Sequence, residues 1–218
     1  MNAEGTTAFP GEGSLLVVAH PDDEILWFGS IVDEVDRIVV CFLNDPAHPE
    51  LAGARERVLA EHPLRDKLVC LDMDETESFN HADWPRPETT RFGLRIVKAR
   101  RIAKRYRLCY RQLEQKLAPM IREARSVITH NPWGEYGHEE HVLVHRVATS
   151  LAVAENKEVW YDNYASSWSE DLMSVYLDKS GPRIERRAVD SRAMDAIADV
   201  YRSHGAWTWF EDYRWFEE

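Results

Sequence analysis

The stretch Ser14–Gly29, SLLVVAHPDDEILWFG, constrains the fold more than any other part of this chain. Leu15 to Ala19 form an unbroken apolar run, the pattern of a strand buried on both faces of a parallel sheet. His20-Pro21-Asp22-Asp23-Glu24 ends the run abruptly, because Pro21 has no N–H to offer a neighbouring strand. An amphipathic pattern then resumes at Ile25, Leu26 and Phe28. Asp22 and Asp23 suit the first turn of a helix, where the macrodipole favours carboxylates. One histidine and two aspartates therefore stand where a strand passes into a helix, the place where open α/β sheets bind ligands.

The rest of the chain keeps this alternation. A helix to about Asp33 precedes a second strand, Arg37 to Leu43. Leu51 to His62 reads as a helix stopped near Pro63, and Leu68 to Met73 as a third strand. Asp74 to Thr90 is polar, acidic and broken by Pro85 and Pro87, the composition of a long loop. Phe92 to Arg125 is helical, with a break expected near Pro119. Val127 to His130 is a fourth strand, His138 to Ala154 a helix, and Val159 to Tyr164 a fifth strand. Met173 to Leu177 and Ile184 to Val189 flank Ser180-Gly181-Pro182 in the pattern of a hairpin. Ala193 to Ser203 is helical, and an aromatic tail runs from Trp207 to Phe216. The pattern predicts one domain over residues 1–218, with 1–13 a loose leader. Its fold class is α/β: a Rossmann-like, doubly wound, mostly parallel sheet with a C-terminal hairpin and aromatic tail.

The formal charge of −11 argues against nucleic acid as a partner, but it is unevenly spread. Arg91 to Lys116 holds 10 bases and one acid, leaving 17 bases against 37 acids elsewhere. That basic arm reads first as a solvated helix face, and second as a surface for an anion. Cys41, Cys70 and Cys109 are odd in number and widely spaced, which suits reduced thiols in a cytoplasmic protein. No apolar run has membrane-spanning length and the first residues carry no secretory pattern. A homo-oligomer is left open.

The second informative stretch is Trp133 to His145, WGEYGHEEHVLVH. His138 and His141 lie three apart on the helix after strand four, so both imidazoles share a face. Strands one and four can present their carboxyl ends to one crevice, bringing His20, Asp22 and Asp23 opposite His138 and His141. Two or three histidines with a carboxylate suit a catalytic Zn2+, and another divalent metal stays open. A second carboxylate could take a proton from water, and another His could meet charge on a substrate oxygen. His48, His62, His81 and His145 read as structural, while His130 and His204 lie near the crevice.

AHPDDE after a hydrophobic strand, followed later by GHEEH on a glycine-rich loop, resembles the PIG-L (LmbE-like) zinc N-deacetylase family. The resemblance implies that His20, Asp23 and His141 are the metal ligands and Asp22 the general base. It makes His138 the acid and oxyanion partner, with Glu140 tuning it, although the family more often has Asp at that position. Arg55 resembles a substrate-binding Arg in a looser local match, and the family often has a His in a position like that of His204. The implied activity is a metal-dependent hydrolase removing acetyl from a small N-acetylated amino sugar or glycoconjugate. The alternatives are a deacylase of another amide, in natural-product or polysaccharide biosynthesis, and a non-catalytic glycan-binding member. The aromatic tail suits either core packing or a carbohydrate platform.

Overall fold

The computed structural model describes residue 9 and residues 11–181, 187–211 and 213–216. Its centre is a five-stranded sheet in the order β3-β2-β1-β6-β7, with every pair parallel. The strands are β1 (Ser14–Val18), β2 (Arg37–Asn44), β3 (Leu68–Asp74), β6 (Ser126–Thr129) and β7 (Glu158–Tyr161). Two-residue strands β4 (Thr89–Thr90) and β5 (Gly93–Leu94) pair separately as a small antiparallel ribbon. The helices are α1 (Asp23–Leu26), α2 (Glu50–Glu61), α3 (Arg100–Glu123), α4 (Glu139–Ala154), α5 (Glu170–Leu177) and α6 (Ser191–Ser203).

Alternation along the strands divides the apolar interior into two layers. Leu15 and Val17 face α3 and α4, where Tyr106, Leu113, Leu117, Leu143 and Val147 close over them. Leu16 and Val18 face the other way, onto Trp27, Phe28, Val58 and the α6 residues Met194 and Ile197. The chain runs outward from β1 to β2 and β3, then returns to place β6 on the other side of β1. That reversal leaves a crevice beyond the carboxyl ends of β1 and β6, as the doubly wound reading expects.

Four local expectations need correction. The helix expected to Asp33 is one turn, Asp23–Leu26, with separate turns continuing to Glu34. Gly29 sits in that gap, and the β-branched Ile31 and Val32 add little helical preference. The long helix begins at Arg100 rather than Phe92, because Gly93 has φ 111° and joins the ribbon. It does not break at Pro119; burial of Leu117 and Ile121 on either side holds the axis across the missing hydrogen bond. The expected hairpin is absent from its first arm, since Met173 to Leu177 lies in α5. Glu170 and Asp171 favour a helix start there, and Leu172, Met173 and Tyr176 pack as one face against the layer holding Trp133 and Tyr161. The second arm falls partly outside the described residues, and residues 187–189 form no strand. Most of the 1–13 leader also lies outside them.

The basic arm becomes a stripe along α3, with Arg100, Lys104, Arg107 and Arg111 exposed on one side. All three cysteines are free thiols, two buried and Cys70 half-buried. Among the described residues no helix is long and apolar enough to cross a membrane.

His145 on α4 is buried and hydrogen-bonds the His130 carbonyl through Nδ1 at 2.7 Å. Burial lowers its pKa to about 4. Below the unfolded value of about 6.5, the unfolded chain takes up a proton that the native ring refuses, so stability falls as pH falls. The slope is steepest between those two values, and the full loss is about 3 kcal/mol. His145→Asn should therefore lose about 2–3 kcal/mol less than wild type between pH 7 and pH 4.5 in urea denaturation.

Candidate active site

The site is built around Asp23, the first residue of α1. Its Oδ1 accepts the Trp27 indole N–H at 2.9 Å. Its Oδ2 accepts the His20 backbone N–H at 2.7 Å and faces the two imidazoles, His20 Nδ1 at 3.3 Å and His141 Nε2 at 3.4 Å. His20 Nδ1 and His141 Nε2 are themselves 3.3 Å apart. These three atoms form an almost equilateral triangle.

The outer nitrogens of both rings are engaged by carboxylates. His20 Nε2 lies 2.8 Å from Glu140 Oε2, and His141 Nδ1 pairs with Glu135 Oε2. With a proton on each outer nitrogen, the lone pairs of His20 Nδ1 and His141 Nε2 point into the triangle, the arrangement of ligating histidines. A tetrahedral ion with bonds of about 2.05 Å needs donor–donor edges of about 3.35 Å. The observed edges meet that requirement. The charge also fits, because Asp22, Asp23, Glu24, Glu135 and Glu140 are all buried and Arg55 is the buried fixed cation near them. A concentration of buried carboxylates calls for a cation. Burial would lower the His20 pKa, but Glu75, Asp23 and Glu140 outweigh it and draw positive charge to this spot. Burial would raise Asp23, yet His141 and His130 hold its carboxyl well below the usual carboxylate range.

His130 is a third imidazole at the triangle, with Nε2 3.4 Å from Asp23 Oδ2. Its lone pair is spent, however, because Nε2 accepts the Ala19 N–H at 2.8 Å. Glu135 and Asp23 pull its pKa up to about 9 against burial, but a donor that close to Nε2 fits the neutral ring. It stacks on His141 with centroids 3.9 Å apart and shares Glu135 through Nδ1 at 3.2 Å. His130 therefore steadies His141 as a wall.

Asp22 borders the triangle with an unusual backbone. Its φ of 96° is left-handed, which strains a non-glycine residue by about 1–3 kcal/mol. Its N–H is held by Glu24 Oε2 at 3.0 Å and by the Tyr201 hydroxyl oxygen at 2.9 Å. Tyr201 in turn donates to Glu24 Oε1 at 2.7 Å, so a buried clamp maintains the conformation. Asp22 Oδ2 accepts from Thr208 Oγ1 at 2.8 Å. Burial and the neighbouring Asp23 raise its pKa well above the usual value.

His138 caps α4, and its Nδ1 accepts the Glu140 backbone N–H at 3.2 Å. Burial, His141 and His20 lower its pKa, which leaves a neutral ring with its hydrogen on Nε2. The Glu140 carboxylate does not tune His138, as the resemblance had implied. It reaches His20 and takes the Thr76 backbone N–H and hydroxyl, the latter at 2.6 Å. Arg55 is brought close: its Nη1 binds Leu43 O at 3.0 Å and Glu75 Oε1 at 2.6 Å, while its buried Nε has no partner among the described residues. His204 is not brought in, since its Nε2 pairs with Glu61 at 2.9 Å.

Glu135, Thr76, Trp27 and Thr208 escaped the sequence reading. Glu135 carried a weak signal, an acid six residues before His141 on the same loop. Thr208 carried none, being 186 residues from Asp22.

Fold and site together define a doubly wound α/β protein whose switch-point crevice carries a His/Asp donor set able to hold a metal ion. A family model described as PIG-L, GlcNAc-PI de-N-acetylase, matches residues 15–152, more than half of the chain and both halves of the donor triangle. The chain belongs to the PIG-L family. It is similar to proteins named 1D-myo-inositol 2-acetamido-2-deoxy-alpha-D-glucopyranoside deacetylase. The Kineococcus radiotolerans protein is 30% identical over 161 residues, 64% of this chain and 44% of that protein. The Kribbella flavida protein is 25% identical over 225 residues, 93% of this chain and 70% of that protein. A Catenulispora acidiphila protein, numbered 2 under the same name, is 30% identical over 155 residues, 63% of this chain and 50% of that protein. The chain thus spans about half the length of two of these relatives.

Glu135→Gln keeps the volume but loses the charge that orients His141. It should weaken divalent-metal binding about 10- to 100-fold, measured by competition with a chromophoric chelator.

Proposed function

We propose that this protein is a metal-dependent N-deacetylase acting on an N-acetylglucosamine-type amino sugar or conjugate. The observation that carries the proposal is the donor triangle of 3.3 to 3.4 Å edges with the strained, buried Asp22 beside it. Family membership and the names of its relatives support the amide and the sugar.

His20, Asp23 and His141 would hold the ion, and two nitrogens with one carboxylate favour Zn2+. When bound, that cation would supply Lewis acidity toward the amide carbonyl and the attacking water. The remaining chemistry belongs to the chain. Asp22 is the base: its Oδ2 is steadied by Thr208 and its raised pKa strengthens its hold on a proton. His138 presents Nε2–H, suited to hydrogen-bond the oxygen that gains charge as water adds to the carbonyl. A neutral His138 is a weak source of a full proton, so the leaving amine takes its proton from Asp22, which collected it in the first step. Glu140 and Glu135 act through the imidazoles they orient. Arg55, held by Leu43 O and Glu75, is the residue of this set expected to contact the substrate, and its buried Nε has no partner among the described residues.

The test is amine release from N-acetylglucosamine and its glycosides by zinc-loaded protein. Asp22→Asn should retain its metal content and lower kcat about 100- to 10,000-fold. Undiminished turnover in that variant would remove Asp22 from the mechanism.

A further inference from the structure

A cavity of about 310 Å³ opens between the β4–β5 ribbon and the first turns of α3. Its apolar wall is made by Phe92, Leu94 and Ile96 in and beside the ribbon and by Tyr106 on α3. That volume stands at the small end of ligand pockets, enough for one compact ring system. The walls are fixed in place. Gly93, at φ 111°, lets the ribbon lie against Tyr106 and Leu143, where any side chain would collide. The Tyr106 hydroxyl accepts the Leu94 N–H at 3.3 Å and donates to the Glu139 carbonyl at 2.7 Å. Thr90 closes the ribbon turn, its Oγ1 accepting the Phe92 N–H at 3.1 Å and donating to the Gly93 carbonyl at 3.2 Å. A cavity formed in advance avoids the ordering cost of binding. Among the described residues no hydrogen bond or ring contact joins these walls to His20, Asp23 or His141.

Three arginines also line the cavity, and they differ in what already holds them. Arg95 is engaged by Glu88 at 2.6 Å. Arg91 stacks over the Phe92 ring, 4.5 Å from its centroid, which covers one face of the guanidinium and leaves its in-plane N–H groups. Arg107 donates through Nε to the Ala103 carbonyl at 3.0 Å, which leaves both Nη groups. Neither Arg91 nor Arg107 has a carboxylate partner among the described residues.

The acids of the neighbouring segments are committed elsewhere. Glu77 pairs with Arg105, Asp83 lies 3.9 Å from Arg86, and Glu139 accepts the Ala82 N–H at 2.8 Å and the Trp84 indole N–H at 3.2 Å. Arg107 also continues the exposed stripe of Arg100, Lys104 and Arg111. Glu114, the one acid between Arg91 and Lys116, is two turns further along the helix. The surface around the cavity is therefore strongly positive, on a chain whose net charge is −11.

We infer that this cavity binds an aryl phosphomonoester, its ring against Phe92, Leu94 and Tyr106 and its phosphate on Arg91 and Arg107. The apolar wall selects the ring. Two guanidiniums without partners select a dianion, and a phosphomonoester carries about −1.5 to −2 charges near neutral pH. A monoanion would match only one of the two cations. The site uses none of the residues assigned to deacetylation, so it stands or falls separately from that activity.

Calorimetric titration of the zinc-loaded protein would compare naphthyl phosphate, inorganic phosphate and naphthol, with phosphatidylglycerol vesicles in a separate sedimentation assay. Naphthyl phosphate should bind at least about tenfold more tightly than either half alone. Arg91→Gln and Arg107→Gln should each weaken it about tenfold, whereas Arg100→Gln, on the same stripe but outside the cavity, should change it less than about twofold. Ala103→Leu fills the cavity from α3 and leaves every charge in place. It should also weaken naphthyl phosphate about tenfold, which adsorption to the basic stripe alone would not show. Both arginines are exposed, so replacing them empties no core volume and the variants should melt with wild type. Equal affinity for naphthyl and inorganic phosphate, or affinity unchanged in both arginine variants, would overturn the site. So would vesicle binding that the arginine variants lose while soluble naphthyl phosphate fails to bind, since this face would then be a membrane contact.

Discussion

The division of labour between the two oxygens of Asp23 holds the site together. Oδ1 belongs to Trp27 and Oδ2 to the crevice, so the carboxylate cannot rotate without breaking the indole hydrogen bond. Trp27 is itself fixed from outside, by Trp209 at 5.4 Å, Tyr164 at 5.0 Å and Tyr213 at 6.5 Å. Tyr213 also donates to the Leu26 carbonyl at 2.8 Å. The aromatic tail therefore reaches the Asp23 corner of the triangle through one indole ring. Packing and electrostatics meet there: apolar burial sets the angle of a carboxylate that two imidazoles face.

The parts of this design legible in the sequence were those written in short stretches. All five sheet strands announce themselves as short, largely apolar runs, and the parallel sheet followed from their alternation with helices. His20, Asp22, Asp23, His138 and His141 were visible because each half of the site lies within a few residues of a strand end. The pairings between halves were not legible. Glu140 was expected beside His138, two residues away, but helix geometry sends its carboxylate across to His20 and leaves only its backbone N–H for His138. Spacing along a chain fixes which groups share a neighbourhood, not which lone pair meets which proton. His204, at the end of α6, is engaged by Glu61, a partner its position in the chain did not reveal.

The misread segment at 173–177 shows how weak a short apolar run is as a signal. Met-Ser-Val-Tyr-Leu fits a strand by composition, and a glycine-proline turn follows it. Glu170 and Asp171 decide the outcome, because acids in the first turn favour a helix start that a period-two pattern does not register. The result matters for the site, because α5 follows directly from its N-cap residue Ser169. Ser169 also donates its hydroxyl to the Glu135 carbonyl, so the start of α5 braces the loop that orients His141.

The placement of β1 between β2 and β6 has a kinetic consequence. β1 meets β2 after a short connection, but it meets β6 only after more than a hundred residues have been arranged, with Val17 beside Thr129. Closing so long a loop is entropically costly and slow, as in other sheets dominated by distant pairings. One edge of the triangle, His20 with Asp23, can form as soon as β1 and the turn after it are in place. The third corner arrives only when β6 docks and carries the Glu135 loop and α4 with it. During folding, the early half is an open two-donor clasp lined with carboxylates. A cation that needs all three donors could therefore be held only once β6 has docked.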